Sequence, residues 1–258
     1  MKKQHILTIS SFKGGTAKTS TSLHLGAAFA KFHKKKVLLV DFDAQANLTM
    51  GLGLDPDSVD SLAPVLLGKK TVKEVIQKTC VPNLDLVPAD TWLERVEVTG
   101  ALAADRYSHE RLKQILGELN YDYVIIDTPP SLCWLTESAL IAANHAIVCA
   151  TCEFYSVKGL HRLSEFMTTI AERHPMGILG VVLSFWNARG KNNNGFLNVI
   201  ERSFPGKCFD TKVRRDVSVS SASVFGKPIF ELTKISKESR AAQDYTDLAK
   251  ELIERLKK

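Results

Sequence analysis

The chain has 258 residues, of which 45% are hydrophobic and 24% are charged, and its formal net charge is +6. This is the balance of an ordinary globular protein, with no apolar run near the ~18 residues of a transmembrane helix and no signal-peptide pattern at the start. Five cysteines are too few, and odd in number, for a disulfide framework, so we expect a cytoplasmic protein.

A glycine-bearing loop between a strand and a helix is the first feature with a chemical meaning. Residues 6–9 form an apolar run that predicts a strand, and Leu23, Ala27 and Ala30 have helical spacing. Backbone N–H groups in such a loop, together with the helix dipole, hold phosphate. Lys18 can neutralise phosphate oxygens and Thr19 can ligate Mg²⁺. The alternative is a glycine turn with solvated lysines.

Two later strands end in carboxylates. Residues 36–41 predict a buried strand that continues into Asp43, and residues 121–127 predict a strand that ends at Asp127. Ligands of open α/β sheets bind at the carboxyl ends of the strands, so Asp43 is expected at the mouth of the sheet. Asp127 has the position of a Walker B carboxylate, which holds the water shell of Mg²⁺. Asp43 alternatively caps the turn that begins at Ala44.

The rest of the chain alternates strands with helices, which favours parallel strands and crossover helices. Apolar runs predict further strands at residues 84–88, 146–151 and 178–184. Apolar stripes predict helices around residues 59–66, 72–76, 108–119, 135–143, 160–170 and 237–257, the third of them capped by Ser108. We expect residues 192–195 to form a surface loop.

The loop residues Lys13-Gly14-Gly15-x-x-Lys18-Thr19 resemble the deviant Walker A motif of the ParA/MinD ATPases, which segregate plasmids and chromosomes or position the division site. The residues from Asp41 to Asn47 resemble that family's D-x-D-P-Q-x-N element, and residues 127–131 resemble its Walker B segment. The segment at Glu153 resembles one that often lies near the family's dimer interface. Ala17 replaces a usual glycine and adds a methyl group where the backbone approaches the β-phosphate.

The resemblance implies an ATPase that uses ATP and Mg²⁺ and forms a homodimer with ATP. Lys13 would reach the phosphates of the opposite subunit, and Asp43 would orient the attacking water. The implied catalytic residues are Lys13, Lys18, Asp43 and Asp127; the implied Mg²⁺ residues are Thr19, Asp43 and Asp127. The implied ATP-binding residues are Lys13, Gly14, Gly15, Thr16, Ala17, Lys18, Thr19, Ser20, Arg215 and Asp216. Hydrolysis would be slow until a ParB-like activator protein stimulates it.

The excess positive charge lies near the end of the chain. Residues 187–258 hold 15 Lys/Arg and 9 Asp/Glu, which accounts for the whole net charge and favours an anionic partner. Residues 211–217 resemble a family element that touches the adenine or carries cations for DNA, with Arg214 in place of proline. We expect non-specific DNA to bind Arg189, Lys191, Arg214 and Arg215, and secondarily Lys227, Lys237 and Arg240. For each, a solvated surface charge is the alternative.

We therefore expect one doubly wound, mostly parallel α/β sheet with helices on both faces, of the P-loop NTPase class. It would span residues 1–258 without a separate DNA-binding domain. The expected function is an ATP-dependent switch that drives plasmid or chromosome partition at the nucleoid. The final helix has acidic residues through its polar face, so we expect core packing and no membrane partner.

Three alternatives to this function stay open. One is a MinD-like membrane-associated positioning ATPase. Another is a metal-carrier ATPase that uses Cys149 and Cys152, although the pair falls in and just after a predicted buried strand. The third is an interaction protein in which Ala17 prevents nucleotide binding.

Overall fold

A computed structural model describes residues 4–98, 102, 105–153, 156–191 and 193–257. Within these residues one sheet has seven strands, in the order β3-β4-β2-β5-β1-β6-β7. All neighbours are parallel except β3, which is antiparallel to β4. The strands are β1 His5–Ser10, β2 Val37–Asp41, β3 Gln77–Lys78, β4 Leu84–Val87, β5 Tyr123–Asp127, β6 His145–Thr151 and β7 Gly177–Ser184.

Twelve α-helices occur in the described part of the chain. They are α1 Lys18–His33, α2 Asn47–Gly51, α3 Leu62–Leu66, α4 Val72–Val75, α5 Trp92–Val98, α6 Arg111–Gly117, α7 Trp134–Ala142, α8 Ser156–Ala171, α9 Asn193–Ser203, α10 Val217–Val224, α11 Thr233–Glu238 and α12 Arg240–Arg255. Two 3₁₀ turns, Ser108–Glu110 and Ile229–Glu231, complete the regular structure of these residues.

Side chains of the strands alternate between two apolar layers. In β1, Ile6 packs into one layer, while Leu7 and Ile9 pack into the other. Helices α3 to α9 contribute to the first layer, and α1, α2, α10 and α12 contribute to the second. Because both faces are covered, the parallel strands are almost continuously apolar. The predicted doubly wound sheet with helices on both faces is confirmed.

Three local predictions are corrected. Ser108 starts a 3₁₀ turn and does not cap α6, which begins at Arg111. Residues 193–195 form the first turn of α9 and not a loop; Asn192 lies outside the described residues. The final helix is interrupted at Ser239, whose hydroxyl accepts a hydrogen bond from the backbone N–H of Ala242 at 3.0 Å and so caps α12.

The apolar stripe of α12 faces the core, as predicted. Tyr245, Leu248, Ala249 and Leu252 are buried in the layer that α12 shares with α1. This burial leaves the stripe unavailable to a lipid surface. Across the described residues, no helix has the length and apolarity needed to traverse a bilayer.

Candidate nucleotide site and flanking cationic cleft

The loop between β1 and α1 forms an open cradle. Gly14 and Gly15 are exposed, and a Cβ added to either would meet no atom within 4 Å. Gly15 has a φ of +73°, which glycine adopts without strain. The hydroxyl of Ser11 donates to the carbonyl oxygen of Lys13 at 2.8 Å and accepts from the hydroxyl of Thr16 at 2.8 Å, and these two hydrogen bonds brace the loop. An open loop at a helix N-terminus is the geometry that binds phosphate.

Ala17 closes this loop in a left-handed conformation, with φ of 61° and ψ of 30°. An L-residue in this region is strained by contact between its Cβ and the backbone. The glycine that is usual in the family at this position would therefore avoid backbone strain. It would also leave space for a phosphate, as the sequence indicates. Lys18 follows as the first residue of α1 and is buried.

The end of β5 brings Asp127 against the first turn of α1. The hydroxyl of Thr19 donates to Asp127 Oδ2 at 2.7 Å, and the hydroxyl of Ser22 donates to Oδ1 at 2.8 Å. Burial raises the pKa of Asp127 to about 6, although these hydrogen bonds and the nearby Lys18 act to lower it. The predicted pair of Thr19 and Asp127 is thus in direct contact in this structure.

Asp41 is the neighbour of Asp127 across the sheet, because β2 pairs with β5 in that register. Burial, reinforced by the charge of Asp127, raises the pKa of Asp41 to about 8. Its Oδ2 accepts hydrogen bonds from the backbone N–H and the hydroxyl of Thr49, both at 2.8 Å. Asp41 therefore fixes the start of α2 relative to the end of β2, and so orders the turn that carries Asp43.

Asp43 is buried in this turn, at the same edge of the sheet. Its Oδ1 accepts a hydrogen bond from the backbone N–H of Gln45 at 3.0 Å, which confirms the predicted capping of the turn. The charge of Asp43 also acts on Asp127 and raises the pKa of Asp127. Capping uses one carboxylate oxygen, and no other hydrogen bond to the Asp43 carboxylate occurs within the described ranges.

The donor set fits a magnesium ion. Three carboxylates, of Asp41, Asp43 and Asp127, lie at or just after the ends of two adjacent strands. Burial is the main cause that raises the pKa values of Asp41 and Asp127, and the neighbouring carboxylates raise them further. A hard divalent cation prefers carboxylate and hydroxyl oxygens, and Thr19 supplies the hydroxyl. A cation at this point would relieve the electrostatic repulsion.

Lys13 is exposed at the rim of the loop and forms an ion pair with Glu153, which follows β6. The two side chains are 44% and 57% exposed. The neighbouring Phe154 and Tyr155, part of the segment predicted near a dimer interface, lie outside the described residues.

A cavity of about 290 Å³ lies beside the loop and contains the two later residues predicted to bind nucleotide. Ala17, Ser20, Arg215 and Asp216 all line it, and Tyr245 contributes to its wall. Burial acts to raise the pKa of Asp216, but hydrogen bonds from Ser218, Ala241 and Ser239 outweigh it and hold the pKa at about 2.

Both carboxylate oxygens of Asp216 are thereby engaged. Oδ1 accepts from the backbone N–H of Ser218 and caps α10, and Oδ2 accepts from the backbone N–H of Ala241 at the start of α12. We assign Asp216 a capping role, and its contact with a nucleotide stays a prediction.

A larger cavity of about 840 Å³ adjoins the first and forms a cationic cleft. Among the described residues that line this cleft, Glu153 is the only acidic one. The cationic residues that line it are Arg189, Lys191, Arg214, Arg215 and Arg240. The structure therefore brings together five of the seven residues predicted to bind DNA. Lys227 and Lys237 are exposed but do not line the cleft.

Arg214 differs from the other cleft residues because its guanidinium is engaged. Nε and Nη2 donate to the carboxylate of Asp244 on α12 at 2.6 to 3.1 Å, and the backbone N–H of Arg214 donates to the same carboxylate at 2.9 Å. Asp244 is buried. We therefore assign Arg214 first to the attachment of its segment to α12, which limits its availability to DNA phosphates.

The two cysteines of the C-x-x-C segment lie on opposite faces of the sheet. Cys149 is buried in the layer under α1, and burial raises the pKa of its thiol to about 12. Cys152 packs against the other layer. One chain cannot present both sulfurs to one ion in this arrangement, and no cluster of potential metal ligands occurs within the described ranges. The metal-carrier alternative is therefore wrong for a site formed by this pair in one chain.

The sequence does not predict a role at the site for three of its residues. Ser22 has a weak signal, because it lies one helical turn after Thr19 and therefore on the same face of α1. Phe185 lines both cavities. Its φ of 54° is an outlier for a bulky residue, and no local sequence pattern predicts it. Tyr245 lines the smaller cavity from a distant helix, so only the tertiary structure reveals it.

Comparison with known proteins agrees with this geometry. A family model described as an AAA domain matches residues 4–178. A ParA family protein of Chlamydia trachomatis serovar D is 64% identical over 249 residues, covering 96% of this chain and 96% of that protein. The chromosome partitioning protein ParA of Caulobacter vibrioides is 35% identical over 255 residues, covering 97% and 94% of the two chains. The structure of cobyrinic acid a,c-diamide synthase from Mycobacterium smegmatis with bound ADP and magnesium has a TM-score of 0.85 at 28% identity, covering 99% and 96%. On these grounds the chain belongs to the ParA family, the partition ATPases of the ParA/MinD superfamily.

Proposed function

We propose that this ATPase is a nucleotide-timed switch that dimerises with ATP, binds DNA without sequence preference and drives the partition of a plasmid or chromosome. One observation carries the proposal. Lys18 and Thr19 at the start of α1 lie against Asp127, with Asp41 and Asp43 at the end of the next strand. This arrangement has the groups that a Mg²⁺–nucleotide needs, on the edge of the sheet where such ligands bind.

In this proposal the loop from Lys13 to Ser20 holds the phosphates, and Lys18 neutralises their charge. Thr19 and Asp127 would hold Mg²⁺, which when bound would offset the negative charge that develops on the transferred phosphoryl group. Asp43 orients the attacking water with the carboxylate oxygen that the turn leaves free. Asp41 keeps this turn in register, and Arg215 closes the nucleotide cavity.

Lys13 completes the site of a second subunit, so that hydrolysis and dimerisation are linked. Face-to-face closure would bring two cationic clefts together, with Arg189, Lys191, Arg215 and Arg240 as the phosphate-binding groups of each. Doubling the phosphate contacts raises DNA affinity steeply and makes it dependent on salt. We expect hydrolysis to be slow until a ParB-like partner accelerates it and thereby releases the DNA.

A titration of a non-specific DNA duplex with the full chain tests the proposal. It is run with ATP, with ADP and without nucleotide, each with Mg²⁺ and at two salt concentrations. We expect a shift with ATP alone, weakened at the higher salt, and abolished in Lys18→Ala. Lys69→Ala is the matched control, since this exposed lysine lies in the turn after α3, away from the loop. DNA binding that is independent of ATP, or absent under all conditions, would contradict the proposal.

A further inference from the structure

The ion pair between Lys13 and Glu153 has a consequence for dimerisation. It is formed within one chain, and both residues are held by their backbones. The carbonyl of Lys13 accepts a hydrogen bond from the hydroxyl of Ser11 at 2.8 Å, and the backbone N–H of Glu153 donates to the carbonyl of Thr151 at 2.8 Å. The pair therefore joins the loop before α1 to the residue that follows β6 and Cys152.

Under the proposed function, on which this inference rests, Lys13 must extend away from its own chain to reach the phosphates of a second subunit. To do so, its ammonium group must leave the position against Glu153 that it occupies in its own chain. We infer that Glu153 is a positioning residue that holds Lys13 against its own chain and so opposes closure of the dimer.

The ion pair is strong enough to oppose dimerisation but too weak to prevent it. An exposed ion pair is weak, because solvent screens the charges and the side chains lose freedom. The several negative charges of a bound nucleotide exceed the single charge of Glu153, so ATP in a second subunit can win the competition. Glu153 also lines the cationic cleft, so the positive charge of that cleft favours its carboxylate after release. Opening the pair therefore costs little once ATP is present.

The test compares Glu153→Gln with the unchanged chain by sedimentation equilibrium, using a non-hydrolysable ATP analogue and Mg²⁺. A dimer releases two pairs, each of which shifts the equilibrium by up to about 5-fold, so we expect dimerisation to tighten by about 3- to 25-fold. The gain should shrink as salt is raised from about 50 mM to about 500 mM, because salt screens exposed pairs. Glu172→Gln, just beyond the far end of α8, is the matched control and should leave dimerisation unchanged.

A second measurement tests the contact without a dimer. In the nucleotide-free chain, acetylation of Lys13 by an N-hydroxysuccinimide ester is followed by peptide mass spectrometry, with the exposed Lys73 on α4 as the internal reference. We expect acetylation to be about 2- to 5-fold faster in Glu153→Gln.

The outcomes separate the inference from the proposed function. Equal acetylation rates, or weaker dimerisation in Glu153→Gln than in the unchanged chain, would overturn the inference. So would a gain in dimerisation that persists when Lys13 is also replaced by alanine, because the effect would then not pass through Lys13. Faster acetylation of Lys13 without any dimer in either protein would support the contact while removing the proposed ATP-dependent dimer.

Discussion

Ala17 closes the phosphate loop in a left-handed conformation that an L-residue adopts at a cost of about 1–2 kcal/mol. Glycine removes this strain, but its greater freedom in the unfolded chain takes back about 0.5–1 kcal/mol. We therefore expect Ala17→Gly to raise the free energy of unfolding by about 0.5–1 kcal/mol. We also expect tighter ATP binding, because no methyl group then faces the phosphate. Urea unfolding and calorimetric titration measure the two effects separately.

Ala46 provides the control for this prediction. It also has a left-handed conformation, with φ of 51° and ψ of 31°, but it precedes α2 and does not belong to the loop. Ala46→Gly should give a similar gain in stability with unchanged ATP affinity. A loss of stability in Ala17→Gly would refute the strain argument, and equal changes of ATP affinity in both variants would show that the methyl of Ala17 has no special position.

The sequence predicts a role for single residues of the site where that role depends only on neighbouring residues in the chain. A lysine and a threonine after two glycines, and a carboxylate at the end of an apolar run, have the same meaning wherever the strands lie. Asp41 is different. Its raised pKa arises because β2 lies beside β5, which is more than eighty residues later in the chain, and no local pattern contains that pairing.

At the scale of elements, the segment after β7 is attached to α12 by Arg214 and Asp244. Removing the arginine would leave a buried carboxylate without its ion-pair partner, so we expect Arg214→Ala to lower the free energy of unfolding by about 2–4 kcal/mol. Arg215 is exposed, and no ion pair of its side chain occurs within the described ranges. Arg215→Ala should therefore weaken DNA binding with little loss of stability.

Thermal unfolding and DNA titration of both variants distinguish these roles. If Arg214→Ala were as stable as the unchanged chain and bound DNA more weakly, Arg214 would be a DNA contact and the assignment to α12 would be wrong. The double variant Arg214→Ala, Asp244→Ala is the further control. It removes the unpaired charge and should recover part of the lost stability.

Element prediction succeeded where hydrophobic periodicity is strong and failed where turn residues dominate. The parallel strands and α1, α7, α8 and α12 follow their apolar patterns closely. The first turn of α9 reads Asn-Asn-Gly, which indicates a loop, and the helix is recognised only from the burial of Phe196 and Ile200 further along. The two-residue strand β3 forms because it pairs with the free edge of β4, so tertiary pairing overrides its local preference.

At the scale of the whole molecule, the alternation of strands and helices predicts two covered faces but not the order of the strands. That order determines which side chains meet beneath the nucleotide site. His24 on α1 is fully buried there, with its ring stacked on Tyr245 of α12 at 4.9 Å and the edge of Phe230 at 6.2 Å. Its Nδ1 lies 2.7 Å from the carbonyl oxygen of Ser20, which identifies Nδ1–H as the donor.

This stack makes the stability of the whole fold dependent on pH. Burial lowers the pKa of His24 from 6.5 to about 4, although the hydrogen bond to Ser20 acts in the opposite direction. Between these two values the unfolded chain binds a proton that the folded chain excludes, so stability is lost as the pH falls. The contribution of His24 to this loss reaches about 3 kcal/mol near pH 4.

His24→Phe keeps a ring against Tyr245 but removes the titrating group. We expect the free energy of unfolding of this variant, followed by urea denaturation from pH 7 to pH 4, to fall less steeply than that of the unchanged chain. The exposed His161 on α8, replaced by glutamine, controls for the loss of an imidazole elsewhere. Parallel pH profiles for the unchanged chain and His24→Phe would mean that acid reaches the imidazole in the folded state, and that α1 and α12 separate more easily than their packing indicates.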